Sequence, residues 1–307
     1  MRRAIAILLA FLVAPASTAL AADLDELLEE SREASYNAEQ VITCSTPDGV
    51  RDAVVEINQA GGELHVGASA DPDVEVASGY GGWALVRGDS VISSANVEGA
   101  AEVSDSRYTV DDGTSVEYLG RDAVLYEMIG DGVVRAELVF DEEFGVLVRV
   151  ATFTGDGQVY CERKFISFDP EPAVNPGEPA AETDLEVAGP VTDSDLPETL
   201  DAFERLDVYE DDEGFVFAYY SDGFFSFAVF QTPSVVSLQG GTAVRFGGGA
   251  YTRAFTPGQA TFVWETRGGG MAVVGDLPPD MHEAVLAGLP DPVDPGLFRR
   301  LWRSLFG

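Results

Sequence analysis

The sequence predicts a mainly antiparallel α+β protein: a curled β-sheet with a helix on its concave side, joined to a smaller α+β domain. Three observations predict it. Short alternating apolar runs recur at hairpin spacing from residue 40 to residue 168, separated by turns rich in Gly and Asp. Residues 169–197 then hold Pro170, Pro172, Pro176, Pro179, Pro190 and Pro197 among many acids, with almost no large apolar side chain, which reads as an extended linker. Beyond it, residues 215–230, FVFAYYSDGFFSFAVF, read as a hairpin that is apolar on both faces.

The first elements concern addressing. Arg2 and Arg3 precede the apolar stretch Ala4–Val13, and Ala19-Leu20-Ala21 fits a small-x-small cleavage rule. Residues 1–21 are therefore expected to be a signal peptide, and the remainder an exported, extracytoplasmic chain in the periplasm or cell-wall space. No Cys follows the cleavage site to carry a lipid anchor, and no later apolar run is long enough to span a bilayer.

Residues 22–169 are expected to form the first domain. Leu24, Leu27, Leu28 and Ala34 follow helical spacing over residues 23–36, with Asp23, Asp25 and Glu26 at the positive end of the helix dipole. Strands are expected over 40–45, 51–59, 63–68, 79–86, 90–94, 115–119, 123–129, 133–141, 146–154 and 158–168. So many antiparallel strands in one meander must curl, and a curled sheet leaves an apolar groove. Trp83, Leu85, Tyr118, Leu125, Leu138 and Val148 fall at inward-alternating positions and are its expected lining, although a one-residue slip reverses each set.

After the linker (170–195), the second domain is expected over 196–290: a short helix over 197–206, the hairpin, strands over 243–246, 251–255, 260–266 and 271–275, and a helix over 280–289 behind Pro278-Pro279. Asp222-Gly223 suit a two-residue turn. That turn would place Tyr220 opposite Phe225, Ala218 opposite Phe227 and Val216 opposite Val229 on one face. Tyr219 beside Ser226, Phe217 beside Ala228 and Phe215 beside Phe230 would form the other. The helix can cover one face. The other needs cover from elsewhere in the domain or from a partner, because exposed aromatic patches mark interfaces. Tyr219, Tyr220, Phe224, Phe225 and Phe227 are accordingly the expected partner-binding residues.

Charge and composition exclude several functions. The formal net charge is −35 with Lys164 as the single lysine, a field that repels nucleic acid and anionic headgroups. Beyond the leader the histidines are His65 and His282, in different domains and without neighbours at metal-ligand spacing, so no metal and no cofactor is expected. There is no Gly-x-Ser-x-Gly elbow, and the Gly clusters at 247–249 and 268–270 lack the Gly-Lys-Ser/Thr of a phosphate loop. With 53 acids, carboxylate pairs arise by chance, and the sequence reads as a binding protein rather than an enzyme. Cys44 and Cys161, the two cysteines of an exported chain, are expected to form a disulfide, two buried thiols being the alternative. In the tail, 291–307, Leu297, Phe298, Leu301, Trp302, Leu305 and Phe306 repeat at helical spacing around Arg299, Arg300 and Arg303. This basic amphipathic helix is expected to dock on the chain's own acidic, apolar surface or to touch a membrane surface.

Two segments of the second domain resemble the MucB/RseB family of extracytoplasmic sigma-factor regulators. Tyr220-Ser221-Asp222-Gly223 with the apolar strand after it is similar to that family's Tyr-Ser-Asp-Gly hairpin, and residues 271–279, MAVVGDLPP, are similar to its Val-Val-Gly-Glu-Val-Pro passage. In the first domain Ala34-Ser35-Tyr36, Gly120-Arg121-Asp122-Ala123 and residues 139–149, VFDEEFGVLVR, resemble the family too, the last in a pattern shared with LolA-like lipoprotein carriers. The resemblance implies a LolA-like curved, incomplete β-barrel joined to a smaller α+β domain. It implies a non-enzymatic regulator that binds the outer part of a membrane-anchored anti-sigma factor, with a lipid or lipoprotein acyl chain as the sensed signal. An extracytoplasmic lipid or lipoprotein carrier using the groove is the alternative. The strong acidity, the long Pro-rich linker and the tail depart from the family pattern.

Overall fold

The computed structural model describes residues 24–60, 63–68, 74–79, 82–87, 90–96, 107–170, 189–190, 196–210, 214–234, 238, 240–256 and 258–293, with the backbone alone over 63–96. Helix α1 (Leu24–Glu33) ends before the expected boundary, because Tyr36 already begins a strand. The strands that follow are β1 (Tyr36–Thr46), β2 (Gly49–Ala60), β3 (Glu63–Ala68), β4 (Val74–Gly79), β5 (Gly82–Arg87), β6 (Ser90–Asn96), β7 (Tyr108–Val110), β8 (Thr114–Tyr118), β9 (Arg121–Gly130), β10 (Val133–Asp141), β11 (Leu147–Phe153) and β12 (Val159–Asp169). Strand β7 is too short to give a periodic signal in the sequence.

The expected single meander is corrected in two ways. Strands β4, β5 and β6 form a sheet of their own. The others form a nine-stranded antiparallel sheet of order β3-β2-β1-β12-β11-β10-β9-β7, with β8 also on β9, so the first long strand lies between the second and the last. This lets β1 pair along both edges, which satisfies its backbone donors and acceptors on either side. The sheet is open, and α1 crosses it: Ser31 Oγ accepts the Leu147 N–H of β11 at 2.9 Å, while Gln59 of β2 donates to the Ser31 carbonyl at 3.2 Å.

The second half contributes β13 (Gly189–Pro190), β14 (Thr199–Leu200), β15 (Phe203–Glu210), β16 (Val216–Ser221), β17 (Ser226–Thr232), β18 (Thr242–Phe246), β19 (Gly249–Thr256), β20 (Gln259–Glu265), β21 (Gly270–Gly275) and α2 (Pro279–Ala287). They make a second nine-stranded sheet, β13-β15-β16-β17-β21-β20-β19-β18, with β14 on β15. The helix expected over 197–206 is instead this β14–β15 hairpin. Asp201, at φ 54°, lies in the tight turn, and the turn lets Leu200 and Phe203 pair and bury together.

The hairpin β16–β17 forms, but its register differs from expectation by two residues. Ser221 pairs with Ser226, Tyr220 with Phe227, Ala218 with Val229 and Phe217 with Phe230. The cause is the Asp222 side chain. Its Oδ1 accepts the Phe224 and Phe225 N–H groups at 3.2 and 2.8 Å, so four residues and not two make the turn, with Gly223 at φ 96°. A two-residue shift keeps every side chain on its face.

One apolar cluster joins the two sheets. It combines Tyr108, Met128, Ala136, Leu138 and Phe140 of the first with Tyr220, Phe227, Val229, Phe262 and Met271 of the second, closed by Met281, Val285 and Leu286 of α2. A second cluster lies within the first half and includes Tyr36, Ile42, Val139, Val148 and Phe165.

Candidate functional site

The Tyr-Ser-Asp-Gly turn sits at the seam between the sheets. Asp222 uses one carboxylate oxygen to close its own turn, and the other accepts the Tyr108 hydroxyl of the first sheet at 2.5 Å. Arg107 Nη1 stands 3.9 Å from that same oxygen. Phe224 and Phe225 flank the contact, each edge-on to the Tyr108 ring at centroid distances of 6.1 and 6.2 Å. Burial raises the Asp222 carboxyl above its ordinary value, against the stabilising pull of Tyr108, the two turn N–H groups and Arg107. Tyr220, two residues earlier, donates to the Pro197 carbonyl at 2.7 Å and so ties the hairpin to the segment that leads into β14.

Further Arg–Asp pairs cross the same seam. Arg135 meets Asp280 at 3.0 Å, Arg253 meets Asp48 at 3.1 Å, and Arg163 pairs with Asp276. Asp276 follows Gly275, and that glycine is required: a Cβ there would lie 2.4 Å from Phe227 Cβ. Burial raises the Asp276 carboxyl, and Arg163 opposes the rise. The Cys44–Cys161 disulfide expected from composition is present, its cysteines directly paired across β1 and β12 with Cα atoms 4.0 Å apart. Gly258 of the second half donates its N–H to Cys44 Sγ at 3.1 Å, so the crosslink also lies at the seam.

The first-half motif residues have structural roles as well. Arg121 pairs with Asp141 at 2.5 Å and Glu143 at 2.8 Å and lies over the rings of Phe144 and Phe168. Asp141 accepts the Glu143 and Phe144 N–H groups, which shapes the turn into β11, and Gly145 there holds φ 65°. Arg149 bridges Glu137 and Glu162 at 2.9 and 2.8 Å.

The aromatic residues expected to anchor a partner are placed differently. Tyr220, Phe227 and Phe225 are 0, 1 and 3 % exposed and Tyr219 is buried too, so in this structure they are core residues and not an exposed patch. For Tyr220, Phe225 and Phe227 the reason is that the first sheet and α2 together cover the face that a domain of this size was not expected to cover alone, while Tyr219 is buried on the opposite face of the second sheet. Phe224 is half-buried at the seam. The groove set is likewise divided. Val148, Leu125 and Tyr118 belong to the first-half cluster, with Tyr118 donating to the Phe165 carbonyl at 2.8 Å. Leu138 belongs to the cluster shared with the second sheet, because successive residues of β10 face opposite sides and both sides are buried. Trp83 and Leu85 lie on β5, and their side chains fall outside the described residues, as do the leader and the tail residues Phe298, Arg299, Arg300, Trp302, Arg303 and Phe306. An open depression of about 410 Å³ lies elsewhere, lined by Glu127, Val133, Val134, Glu137, Phe153 and the turn at 155–157.

Sequence reasoning missed Tyr108, Arg107, Arg163 and Asp276. One signal was present: the 18 basic side chains are far outnumbered by 53 acids, and each one set in an apolar strand needs an acid to face. Among the described residues no cluster of His, Cys, Asp and Glu is arranged to hold a metal, and no helix is long and apolar enough to cross a membrane.

These features define a class: two open antiparallel sheets, each with a helix, joined by a shared core and a row of ion pairs. No family model and no curated protein sequence matches the chain. Among solved structures, the chain has the fold of MucB as seen in complex with MucA(peri), at TM-score 0.51 and 18% identity over 88% of this chain and 98% of that one. The Pseudomonas aeruginosa MucA/MucB complex aligns at TM-score 0.46 and 17% identity over 89% of this chain and 100% of that one. A LolA superfamily protein from Nitrosomonas europaea aligns at TM-score 0.23 and 9% identity over 85% and 97%.

Proposed function

We propose that this chain is an exported regulatory binding protein of the MucB/RseB kind, which engages the extracytoplasmic segment of a membrane-anchored anti-sigma factor. One observation carries the reading. The two segments that resemble the family, fifty residues apart, are neighbouring strands: Phe227 of the Tyr-Ser-Asp-Gly hairpin pairs directly with Gly275 of the Val-Val-Gly-Asp passage, and both segments end at the seam. A simple carrier lacks the second sheet and has no use for that arrangement. The partner segment meets the chain at the seam beside Phe224, the one expected anchor whose ring is not fully enclosed. It is neutral or basic, because the chain is strongly acidic. A lipid or lipoprotein acyl chain, held in the first half beside Tyr118 and Leu125, is the signal that controls release.

The test is calorimetry with the purified extracytoplasmic segment of a single-span anti-sigma factor encoded beside this gene. Saturable binding that Phe224→Ala weakens by about 2 kcal/mol or more, measured at a temperature where the variant is fully folded, is the expected result. No binding by either protein rejects the reading. Native mass spectrometry after lipid extraction tests the signal separately, and repeated absence of a bound amphiphile removes it.

A further inference from the structure

One corner of the seam is built over the disulfide. Ile42 and Cys44 of β1 lie on the same face as Arg163 and Cys161 of β12, with which they pair. Gly258, in the turn between β19 and β20, rests on that face. Its N–H donates to Cys44 Sγ at 3.1 Å, and its carbonyl accepts from Arg163 Nη2 at 3.4 Å. The same guanidinium pairs with Asp276 after β21, and Arg253 of β19 reaches Asp48 in the β1–β2 turn at 3.1 Å. Glycine suits this seat, because φ is 80° and a Cβ would lie 3.0 Å from Arg163 Nη2. Beneath the turn Cys44 and Cys161 are 1 and 2 % exposed. Both belong to the first-half cluster and not to the shared one, so the second half meets them here through polar contacts. Arg253 Nε and Asp276 Oδ1 are buried at this corner with no hydrogen-bond partner among the described residues, a solvation penalty that opening the corner relieves.

We propose that Cys44–Cys161 is a thiol–disulfide exchange site gated by this corner of the seam, and that its reduction by a dithiol reductant releases the corner. Exchange needs a thiolate to reach a sulfur. With the turn of Gly258 seated, both sulfurs are enclosed; with it lifted, Cys44 Sγ is uncovered. The reductant's thiolate attacks Cys44 Sγ, the S–S bond breaks, and its electron pair leaves on Cys161 Sγ, which takes up a proton. The reductant's second thiol then displaces Cys44, which takes up the other proton. Two cysteine thiols and the reductant's own disulfide result, two electrons and two protons having passed to the chain. Two separate thiols need more room than one bonded pair, and in so enclosed a place that volume pushes against the turn. Reduction and lifting of the turn therefore favour each other, and the coupling is reciprocal. The redox state of the bond thereby sets how firmly the second half is held at the seam.

The experiment uses the full oxidised chain alone, without a partner, under native conditions with dithiothreitol as the probe, reduction being followed by quenched thiol labelling. The rate should rise with dithiothreitol and level off at the rate of corner opening, above the global unfolding rate taken from urea kinetics. Arg163→Ala should raise it about tenfold or more, whereas Arg121→Ala, which removes ion pairs away from the seam, should leave it within about twofold. Reduction no faster than global unfolding, or equal acceleration by the two variants, shows that the bond is reached only by unfolding and overturns the gate. Fast reduction that never levels off, alike in all three proteins, shows that nothing encloses the bond and overturns it too. Hydrogen exchange tests the release. After about one minute of labelling, the amides of residues 258–260 should be protected in the oxidised chain and exchanged in the reduced one, with β10 protected in both. Equal protection of 258–260 in the two redox states, or loss of protection in β10 as well, overturns the release and leaves the bond a structural staple.

Discussion

Tyr108 and Asp222 are 114 positions apart in sequence and share a 2.5 Å hydrogen bond that joins the two sheets. The carboxylate is also the keystone of its own turn, so one side chain sets both the hairpin register and the place where the hairpin docks. A hydrogen bond to a charged group contributes about 1.5–3 kcal/mol. Tyr108→Phe is expected to lower stability by that amount in urea unfolding. Asp222→Ala should cost more, because the Phe225 N–H is then buried without its acceptor.

The pH dependence of this contact has a definite sign. Burial raises the Asp222 carboxyl in the folded chain above its ordinary 3.8, against the pull of Tyr108, the turn N–H groups and Arg107. A raised folded value means that the group's contribution is full below the unfolded value and is lost as pH rises through the folded one. The unmodified chain should therefore gain stability relative to Asp222→Asn as pH falls from about 7 to about 4. Urea midpoints of the two proteins across that window measure the difference. A constant difference would show that Asp222 titrates alike in both states.

The stacked pair Tyr220–Phe227, with ring centroids 5.2 Å apart, is fully buried. Phe227→Ala should cost about 3–5 kcal/mol, read as an early thermal transition. Tyr220→Phe removes only the hydroxyl that reaches Pro197, and about 1 kcal/mol is expected.

Arg163 and Asp276 form a partly desolvated pair at the seam. Removing one partner of such a pair leaves an uncompensated charge, at a cost of about 3–5 kcal/mol. Arg163→Ala should show most of that loss, and the double variant Arg163→Ala/Asp276→Asn should recover part of it. A double variant no more stable than Arg163→Ala would mean that the pair is not coupled.

The Cys44–Cys161 bond closes a loop with a sequence separation of 117 residues. In the chain-entropy model such a crosslink contributes about 4–5 kcal/mol. The non-reduced protein should titrate no free thiol under denaturing conditions. The double variant Cys44→Ala/Cys161→Ala should unfold at markedly lower urea concentration.

Much of this architecture was written in local patterns. Alternation and turn residues placed most strands of both sheets within a few residues, because those signals depend on neighbours along the chain. The Phe-rich hairpin and the helix after Pro278 follow from the same logic, and the even cysteine count pointed to the disulfide. Other features depend on groups that the sequence sets far apart. That β1 lies beside β12, that β4–β6 stand as their own sheet, and that residues 199–210 pair as strands were decided by which edges found partners. The burial of Tyr220, Phe225 and Phe227 was decided in the same way. Local sequence makes their faces apolar, but only the arrival of the first sheet and α2 determines that these faces are core and not interface. The same holds for Asp222, whose turn chemistry is local and whose partner Tyr108 is not: a hydrogen bond across the seam exists only once both sheets have packed.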